Sequence, residues 1–571
     1  MGFFENRYRT ILLILMLFVG ASQPEASLLE TTRNKAFFKL QPYKEEMSAN
    51  YERSPYKSAS LININSNVNV SYLLSVRDNR GAEKTYSILS VDDKLRLRLD
   101  EVAPELFISD NGKGHICNIQ EEIAAEYKKH KRSKLTHIPV CNNLLFVVIK
   151  QDGYQSRVEK GAEFLRWLGG DAGENVINEV KEGYFKDKYV VMEQAQESTE
   201  ISAVTENNSV LPRADIEARY QNSSIPTRHL GLKTQNSEKS LLAGKWYPLK
   251  NYPGVYAGMI MPGMVSRKIQ KTHRDRVNTL DSVERKAVVY LVSFSLSKYT
   301  LGWGHGTDHP GVGWSRRAVR ISKDNPYGPD GFNKIKPLIP LGHTPPYLWS
   351  KIIGTFSGGF QKRHGAFRYG ELSMTNKAHH YGFMENGVML TSPTEGLASV
   401  IMYRDGNLEL KRWTAQDNEK LPLIRHIRQN GVPLVHRDEG GQGIPGKWVR
   451  HWSAGNWSGS AKKQLRTPRG AACLIETPED NFLVYAYFSG ATPSAMARVF
   501  QAYGCNAAIH LDMNSPGQAY ASLFTPQDGG GSIDIELLTA KMYQYMGGKK
   551  DSPRFFIKPD YKDFFYIMKR E

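Results

Sequence analysis

The sequence predicts an α+β protein of two domains: a smaller β-rich N-terminal domain and a C-terminal domain with a mixed β-sheet and helices. The chain has 571 residues, too many for a single hydrophobic core. Its first half alternates apolar and polar residues as strands do, whereas its last third carries a strand, a helix and a second strand in succession. A polar stretch that is poor in apolar residues separates the two parts.

The N-terminus has the pattern of a secretory signal peptide, which we place at residues 1–26. Arg7 and Arg9 precede the apolar run Ile11–Ala21, and small residues follow. The run is short for a helix that spans a bilayer, which needs about 20 residues. A retained N-terminal membrane anchor is the alternative. With a signal peptide we expect an exported protein, periplasmic or secreted.

Residues 27–195 are expected to form an accessory α+β domain, interpreted as a scaffold with a binding module as the alternative. Alternation from Ala59 to Ile108 predicts half-buried antiparallel strands. Further elements are predicted as helices at Cys117–Lys129, Val158–Leu168 and Glu174–Glu182 and a strand at Leu144–Ile149. Residues 196–240 have the composition of a polar linker.

Residues 241–571 are expected to form the second domain. Val288–Leu296 and Ile352–Phe356 have the length and apolar content of strands. The segments Leu397–Tyr403 and Leu408–Trp413 flank an Asp–Gly turn and predict a hairpin.

A strand–helix–strand unit comes late in this domain. Leu483–Phe488 is a continuous apolar run, and Thr492 with Pro493 supplies the start signals of a helix. Gly504 is placed to end that helix in a left-handed conformation. The strand Ala507–Leu511 then delivers Asp512 at its carboxyl end, where open α/β sheets usually place ligands.

The charge balance favours anionic partners. Lys and Arg total 75 against 58 Asp and Glu, a net charge of +17. No basic arm interleaved with aromatic residues and no nucleic-acid motif occurs in the sequence, so we expect no nucleic acid partner. An anionic glycan and a membrane surface stay open as partners.

The four cysteines form two sequence-local pairs, Cys117 with Cys141 and Cys473 with Cys505. Two disulfides are expected in an oxidising compartment, and buried free thiols are the alternative. No Cys-x-x-Cys or Cys/His zinc spacing occurs.

Four turn-associated clusters in the second domain carry residues suited to chemistry. His305, Asp308 and His309 lie in a glycine-rich loop and are a candidate metal set, with turn polar groups as the alternative. The other three clusters are Ser357–Gln361 with His364, Gln429 and Asn430 ahead of a buried strand, and Arg466 with Arg469. Paired glycines let backbone N–H groups approach an anion, and the guanidinium of arginine can bind two phosphate oxygens at once.

The order of these clusters resembles the phosphodiester glycosidase family from about Trp246 onward. The matching features, in chain order, are a Gly–Gly–Phe turn at 358–360, a Gln-x-x-x-Pro-Leu-Val stretch at 429–435, Arg469 ahead of a Gly/Ala-rich strand, a helix with Gly504–Cys505, and a strand ending in Leu–Asp. The segment His-Leu-Asp-Met-Asn at 510–514 resembles a bacterial branch of that family.

This resemblance implies an exported hydrolase that acts on a sugar phosphodiester or a related phosphate-bearing glycan of the cell envelope, without a cofactor. It implies Asp512 as nucleophile, base or orienting carboxylate, Arg469 as phosphate ligand, and His510 or His364 as general acid. The substrate-binding residues that it implies are Gly358, Gly359, Gln361, His364, Gln429, Asn430, Arg466 and Asn514.

The chain departs from the family pattern at two places. Ser357 and Gln361 replace an Asn and a Phe of the family's turn, and Met513–Ser515 replaces a run of glycines after the aspartate. A literal Asp-Gly-Gly-Gly-Ser occurs at 528–532, but no helix and strand precede it directly, so we interpret it as a flexible loop. The loss of the glycines supports a second hypothesis, a non-catalytic protein that binds an anionic envelope glycopolymer.

Overall fold

The computed structural model describes residues 37–52, 54–110, 113–129, 135–156, 159–161, 210–308, 335–360, 381–451, 466–526, 533–545 and 553–570. The expected signal peptide, the expected helices at 158–168 and 174–182 and the Asp-Gly-Gly-Gly-Ser segment at 528–532 lie wholly or largely outside these residues. No helix among the described residues is long and apolar enough to cross a membrane.

The protein is mainly β, so the predicted α+β fold with helices of the phosphodiester glycosidase type is wrong. Strands account for 43% of the described residues and helices for 15%. In the described part, the α-helices with assigned bounds are α1 (Ile119–Lys129), α2 (Arg267–Lys271) and α3 (Pro493–Ala502). Many strands are only three to six residues long, too short for their alternation to stand out in the sequence.

The N-terminal region contains two antiparallel sheets. One is six-stranded, in the order β1-β2-β3-β4-β9-β8, and the other is three-stranded, in the order β5-β6-β7. Their strands are β1 (Glu45–Asn50), β2 (Tyr56–Asn63), β3 (Ser71–Asp78), β4 (Glu83–Ser90), β5 (Arg96–Leu99), β6 (Leu106–Asp110), β7 (Lys113–Cys117), β8 (His137–Val140) and β9 (Leu145–Val148). A disulfide between Cys117 and Cys141 joins β7 to the end of β8.

An eight-stranded sheet forms the centre of the C-terminal region, in the order β12-β13-β14-β25-β24-β26-β22-β23. The expected strand–helix–strand unit is β25, α3 and β26. Strand β24 lies between β25 and β26 and pairs antiparallel with both, so β25 and β26 run parallel without touching. The strands of this sheet are β12 (Trp246–Pro248), β13 (Val255–Ile260), β14 (Val289–Ser295), β22 (Val435–Arg437), β23 (Gly443–Pro445), β24 (Thr467–Glu476), β25 (Asn481–Ala491) and β26 (Ala507–Met513).

Three smaller sheets complete the described architecture. Two are five-stranded, in the orders β15-β29-β16-β27-β28 and β18-β17-β21-β19-β20, and one is the pair β10-β11. The strands are β10 (Ser224–Pro226), β11 (Ser240–Leu242), β15 (Tyr299–Gly304), β16 (Ile352–Ser357), β17 (Phe383–Glu385), β18 (Val388–Thr391), β19 (Ala398–Tyr403), β20 (Leu408–Arg412), β21 (Ile424–Gln429), β27 (Ala521–Pro526), β28 (Ile533–Leu537) and β29 (Phe564–Lys569). Strands β19 and β20 are the predicted hairpin.

Short 3-10 helices link several of these strands. They are Ala218–Tyr220, Thr227–His229, Pro262–Met264, Glu284–Lys286, Pro346–Leu348, Ala415–Leu423 and Ala540–Tyr545. The turn Glu284–Lys286 also caps α3, because the N–H of Thr492 donates to the buried carboxylate of Glu284 at 2.7 Å. The Thr492 hydroxyl, which the sequence predicts as the cap, makes no capping hydrogen bond to the first turn of α3.

The main hydrophobic core extends across both regions of the chain. Residues 210–240 are the described part of the expected linker; they carry β10 and bury Leu211, Ile225 and Leu232 in this core. Gln41 of the N-terminal region exchanges two hydrogen bonds with the backbone of Met389, at 2.7 and 2.9 Å. The two regions are therefore joined by packing and by specific hydrogen bonds.

Candidate functional site

The carboxyl end of β26 is distorted by a β-bulge, which sets the direction of its polar side chains. Arg469 of β24 faces Met513, and Ala471 faces His510, so the one residue between them on β24 opposes the two residues between them on β26. A bulge inserts one residue and breaks the strict alternation of faces. Simple alternation predicts His510 and Asp512 on one face, whereas here His510 and Met513 both contact Arg469, and the carboxylate of Asp512 bonds to Lys562.

Arg469 is a fully buried cation at the centre of this arrangement. Its Nε donates to the carbonyl of Ala491 at 2.7 Å, and its Nη1 donates to Nε2 of His510 at 3.1 Å. Burial lowers the pKa of Arg469 to about 9, and the carboxylate of Glu284 opposes that shift. The guanidinium therefore stays charged at neutral pH.

His510 is neutral and holds Arg469 in place. Because an arginine only donates hydrogen bonds, Nε2 of His510 must accept, which puts the imidazole proton on Nδ1. Burial and the nearby charge of Arg469 lower the pKa of His510 well below its ordinary value. The ring also packs on Phe360, with 5.0 Å between ring centroids.

Asp512 lies next to a second cation, Lys562. The lysine Nζ donates to Oδ2 of Asp512 at 2.6 Å, and the N–H of Met513 donates to Oδ1 at 2.8 Å. Burial raises the pKa of Asp512, and Lys562 and the Met513 N–H oppose that rise. Asp512 keeps 6% of its surface accessible, whereas Arg469 and His510 keep none, so Asp512 is the one of these three that reaches solvent.

The Gly358–Gly359 turn packs directly against this end of β26. The N–H of Asp512 donates to the carbonyl of Gly358 at 3.1 Å, and the N–H of Gly358 donates to the carbonyl of Asp563. A side chain on either glycine would collide with its surroundings: a Cβ on Gly358 would lie 2.3 Å from the carboxylate of Asp563, and one on Gly359 2.5 Å from the guanidinium of Arg428. Both glycines are required by close packing.

Asn430 ties the turn to β26. Its Oδ1 accepts from the N–H of Phe360 at 2.9 Å, and its Nδ2 donates to the carbonyl of His510 at 2.5 Å. The structure thus brings together Asp512, Arg469, His510, Asn430 and the glycine pair, all of which the sequence singles out.

Gln429 faces away from this group. Its Oε1 accepts from the N–H groups of Gly382 and Thr394, and its Nε2 donates to Thr394 and Ser399. All of these contacts organise the chain around β19 and β21, and they fully engage the Gln429 amide.

Arg466 and Asn514 flank the site. Arg466 donates to Asp281 at 2.9 Å and is partly exposed, so its charge has a structural partner. Asn514 is half-buried and adopts a left-handed backbone with φ of 86°, and its N–H donates to the carbonyl of Pro468. Gln361 and His364 lie outside the described residues.

The candidate metal set does not assemble among the described residues. Nδ1 of His305 contacts the carboxylate of Glu385, and His309 lies outside the described residues. The group of potential ligands that comes together in the described part of the chain is Cys117, Glu122 and Cys141, and both sulfurs there belong to a disulfide. The two expected cysteine pairs are bonded, the second one between Cys473 and Cys505.

A charged run that the sequence reasoning missed completes the site. Asp560, Lys562 and Asp563 directly precede β29 and are almost fully buried. Arg554 donates to Asp560 at 2.6 Å, and Glu159 of the N-terminal region lies 3.6 Å from Lys562 and 3.3 Å from Arg554. The sequence does carry a signal for this run, namely charged residues immediately before an apolar C-terminal strand.

Asp563 is the second carboxylate near Asp512 and is held by three donors. Its Oδ2 accepts from Arg428, from the indole N–H of Trp303 at 3.1 Å and from the N–H of Gly359 at 3.4 Å. Asp563 contributes to the raised pKa of Asp512. The three donors hold Asp563 in place, which leaves Asp512 as the carboxylate suited to exchange a proton.

Chemically, the site offers a nearly buried carboxylate with a raised pKa that is paired with Lys562, and the buried cation of Arg469 lies on the neighbouring strand. Such a carboxylate is suited to general acid–base or nucleophilic chemistry, and the cations of Arg469 and Lys562 are suited to stabilise negative charge that develops nearby. The low dielectric of a buried site strengthens both effects.

No protein-family model matches the chain, and no curated protein matches it significantly. Among solved structures, the chain is similar to the catalytic domain of zebrafish N-acetylglucosamine-1-phosphodiester alpha-N-acetylglucosaminidase, auto-inhibited by its pro-peptide. The identity is 11% and the TM-score 0.29, over 56% of this chain and 85% of that one. A Burkholderia pseudomallei protein whose name suggests that it is exported matches at 9% identity and a TM-score of 0.22, over 49% of this chain and 74% of that one. These likenesses are too low to assign function, and the chemistry of the site rests on its own residues.

Proposed function

We propose that the protein is an exported hydrolase that acts on a sugar phosphodiester or a related phosphate-bearing glycan of the cell envelope. One observation carries the proposal: Asp512, with a raised pKa, lies between Lys562 and the strand that bears Arg469, and its backbone is bonded to the Gly358–Gly359 turn. The basic signal-like N-terminus of the sequence and the net charge of +17 support export and an anionic substrate.

In this proposal Asp512 is the catalytic carboxylate, acting as nucleophile or as base. Lys562 favours its ionised form, and the Arg469 guanidinium supplies a fixed positive charge for the phosphate. His510 acts as a positioning residue, because its Nε2 accepts from Arg469 and its lowered pKa disfavours uptake of a second proton at neutral pH. Asn514, half-buried beside Asp512, is the proposed contact to substrate hydroxyls.

The test is turnover of a chromogenic sugar-1-phosphodiester by the purified mature protein. We expect Asp512→Asn to lower kcat at least about 100-fold, because the carboxylate takes part in the chemical step. Asp405→Asn, a change of the same type in an exposed hairpin turn, should leave kcat unchanged. Thermal unfolding of both variants checks that the fold is retained.

A non-catalytic protein that binds an anionic envelope glycopolymer is the second candidate function. The near-complete burial of Asp512 and its ion pair with Lys562 favour it, since a structural ion pair has the same geometry. Binding of the phosphodiester without turnover, unchanged in Asp512→Asn, would reject the hydrolase and leave the binding protein. Absence of both binding and turnover would reject both functions.

A further inference from the structure

A cavity of about 300 Å³ lies beside α3, and its described lining residues include none from the candidate site. Its walls come from the 3-10 helices around residues 218 and 263, from α2, from the turn that ends at Glu284–Lys286, and from one residue of α3. We call it the basic cavity because its lining includes six cationic side chains: Arg219, Arg267, Lys271, Arg274, Arg285 and Arg498.

The charge of the basic cavity is strongly one-sided. Among the described residues that line it, the acidic one is Glu217, and its carboxylate lies 3.6 Å from Arg267. That contact offsets one of the six positive charges. A concave surface lined by one sign of charge focuses its field and concentrates counter-ions. With six cationic side chains and one carboxylate, the described lining has a net charge of +5, which is part of the +17 of the whole chain.

Arg498 fixes the floor of the basic cavity. It is 2% exposed and lies on α3. Its guanidinium donates to the carbonyls of Ile269, Gln270 and Thr272 at the C-terminal end of α2. These hydrogen bonds engage carbonyls at the helix end and hold α2 against α3. Lys271 and Arg274, which lie at and just beyond the end of α2, therefore face the cavity from a fixed backbone.

The opposite wall is equally constrained. Oδ1 of Asp281 accepts from the N–H groups of Val283 and Glu284 at 2.8 and 2.9 Å, which shapes the turn that carries Arg285. Arg285 packs on Gly263 so closely that a Cβ there would lie 2.7 Å from the Arg285 carbonyl. The side chain of Arg285 is exposed to solvent from this rigid support.

We propose that the basic cavity is a second anion site, which binds a compact group of two or more phosphates such as an oligophosphate. Five of its six cations are arginines, and the guanidinium fork pairs with two phosphate oxygens at once. Cations on several separate segments around one cavity fit several phosphate groups better than a single one. The site is independent of the hydrolase proposed above.

The test is calorimetric titration of the full-length protein with sodium tripolyphosphate. We expect saturable binding that weakens as salt rises, because exposed charges are screened. Arg285→Glu should weaken binding at least about tenfold, which is 1.4 kcal/mol. Lys286→Glu is the matched control: the same change in charge on the next residue, exposed but outside the cavity lining, should weaken binding less than about twofold.

A second matched pair guards against misfolding of one variant. Lys271 lines the cavity and Lys268 of the same helix does not, although both are exposed. Lys271→Glu should lower the affinity and Lys268→Glu should not. Equal losses within both pairs would mean a diffuse charge effect and overturn the proposal, as would the absence of binding to the unmodified protein.

Vesicles distinguish the source of the phosphates. Co-sedimentation with phosphatidylcholine vesicles that contain phosphatidylglycerol measures binding to lipid headgroups. We expect tripolyphosphate to bind and the vesicles to remain free, which assigns the site to a soluble or polymeric phosphate. Vesicle binding that is lost in Arg285→Glu, without tripolyphosphate binding, would overturn this assignment.

Discussion

The Asp512–Lys562 ion pair shows how single residues set the electrostatics of the candidate site. Desolvation disfavours a buried carboxylate and raises its pKa, whereas the lysine 2.6 Å away favours the ionised form. The pair is nearly excluded from water, so little solvent screening weakens it. Removing one partner leaves the other as an uncompensated buried charge, which is far more costly than removing both.

We predict that Lys562→Met destabilises the protein by about 3 kcal/mol at neutral pH. In the variant, the pKa of Asp512 rises further above the ordinary carboxyl value of 3.8. The folded variant then binds this proton more tightly than the unfolded chain does, so its stability is greatest at low pH and is lost as the pH rises through that window. Urea unfolding at a series of pH values measures the effect.

The double variant Asp512→Asn with Lys562→Met is the control for this prediction. It removes both charges, so it should recover most of the lost stability and the added pH dependence. Glu159 keeps Arg554 as a partner in both variants, at 3.3 Å. If the unfolding free energies of Lys562→Met and of the unmodified protein changed in parallel with pH, the assigned coupling between Asp512 and Lys562 would be contradicted.

At the scale of elements, the site depends on a turn, a bulge and a C-terminal strand that meet. The turn after β16 fits between β26 and the residues that precede β29, and it has no space for side chains. The bulge in β26 turns Asp512 toward Lys562 and leaves His510 against Arg469. Close packing of backbone against backbone holds these charged groups at fixed separations.

We predict that Gly359→Ala costs about 2 kcal/mol of unfolding free energy, since the new methyl group overpacks a rigid site. It would lie 2.5 Å from Arg428 and 2.6 Å from Oδ1 of Asn430. Gly440→Ala is the control, because its Cβ would meet an ordinary contact of 3.4 Å in an exposed loop, and its effect should stay within about 0.5 kcal/mol. Equal effects of both changes on denaturant midpoints would contradict the packing argument.

At the scale of the whole molecule, the N-terminal region takes part in the site. Glu159 reaches Lys562 and Arg554, which lowers its pKa to about 2 although burial alone would raise it. His343 lies at the same junction: Nδ1–H donates to the carbonyl of Thr344 at 2.8 Å, and Nε2 lies 3.0 Å from the hydroxyl of Thr136. Burial lowers the pKa of His343 to about 3.

We predict that His343→Gln reduces the pH dependence of stability between pH 7 and 5 by about 2 kcal/mol. Below the ordinary histidine pKa of 6.5 the unfolded chain takes up a proton at this residue and the folded protein does not. The contribution of His343 is therefore fully present above pH 6.5 and is lost as the pH falls. Guanidinium unfolding across this range measures the difference between the variant and the unmodified protein.

His115→Gln serves as the control for the pH experiment. His115 is exposed on β7, so its replacement should leave the pH dependence unchanged. An unchanged pH dependence in His343→Gln would contradict the assignment of a buried neutral imidazole at the junction.

The sequence alone determined those strands, helices and turns that are specified by neighbouring residues in the chain. The apolar run of β25, the Pro493 start and Gly504 end of α3 and the hairpin of β19 and β20 all follow from short-range chemistry. The two disulfides were expected from the sequence, with free thiols as the alternative, and the structure decided between them. It also singled out Asp512, Arg469, His510, Asn430 and the glycine pair, because these residues stand at turns and strand ends, where binding groups collect.

Only the tertiary structure decided the fold class and the hydrogen bonds and ion pairs within the site. The mainly β architecture arises from short strands whose partners are far away in the chain, and such pairing leaves no periodic signal in the sequence. Long-range contacts also decided the site. The bulge places His510 and Asp512 against different partners, the Gln429 amide bonds to backbone groups inside the protein, and Lys562 and Glu159 come from distant parts of the chain. A local pattern can mark a residue as chemically capable, but its partners are chosen by packing between distant segments.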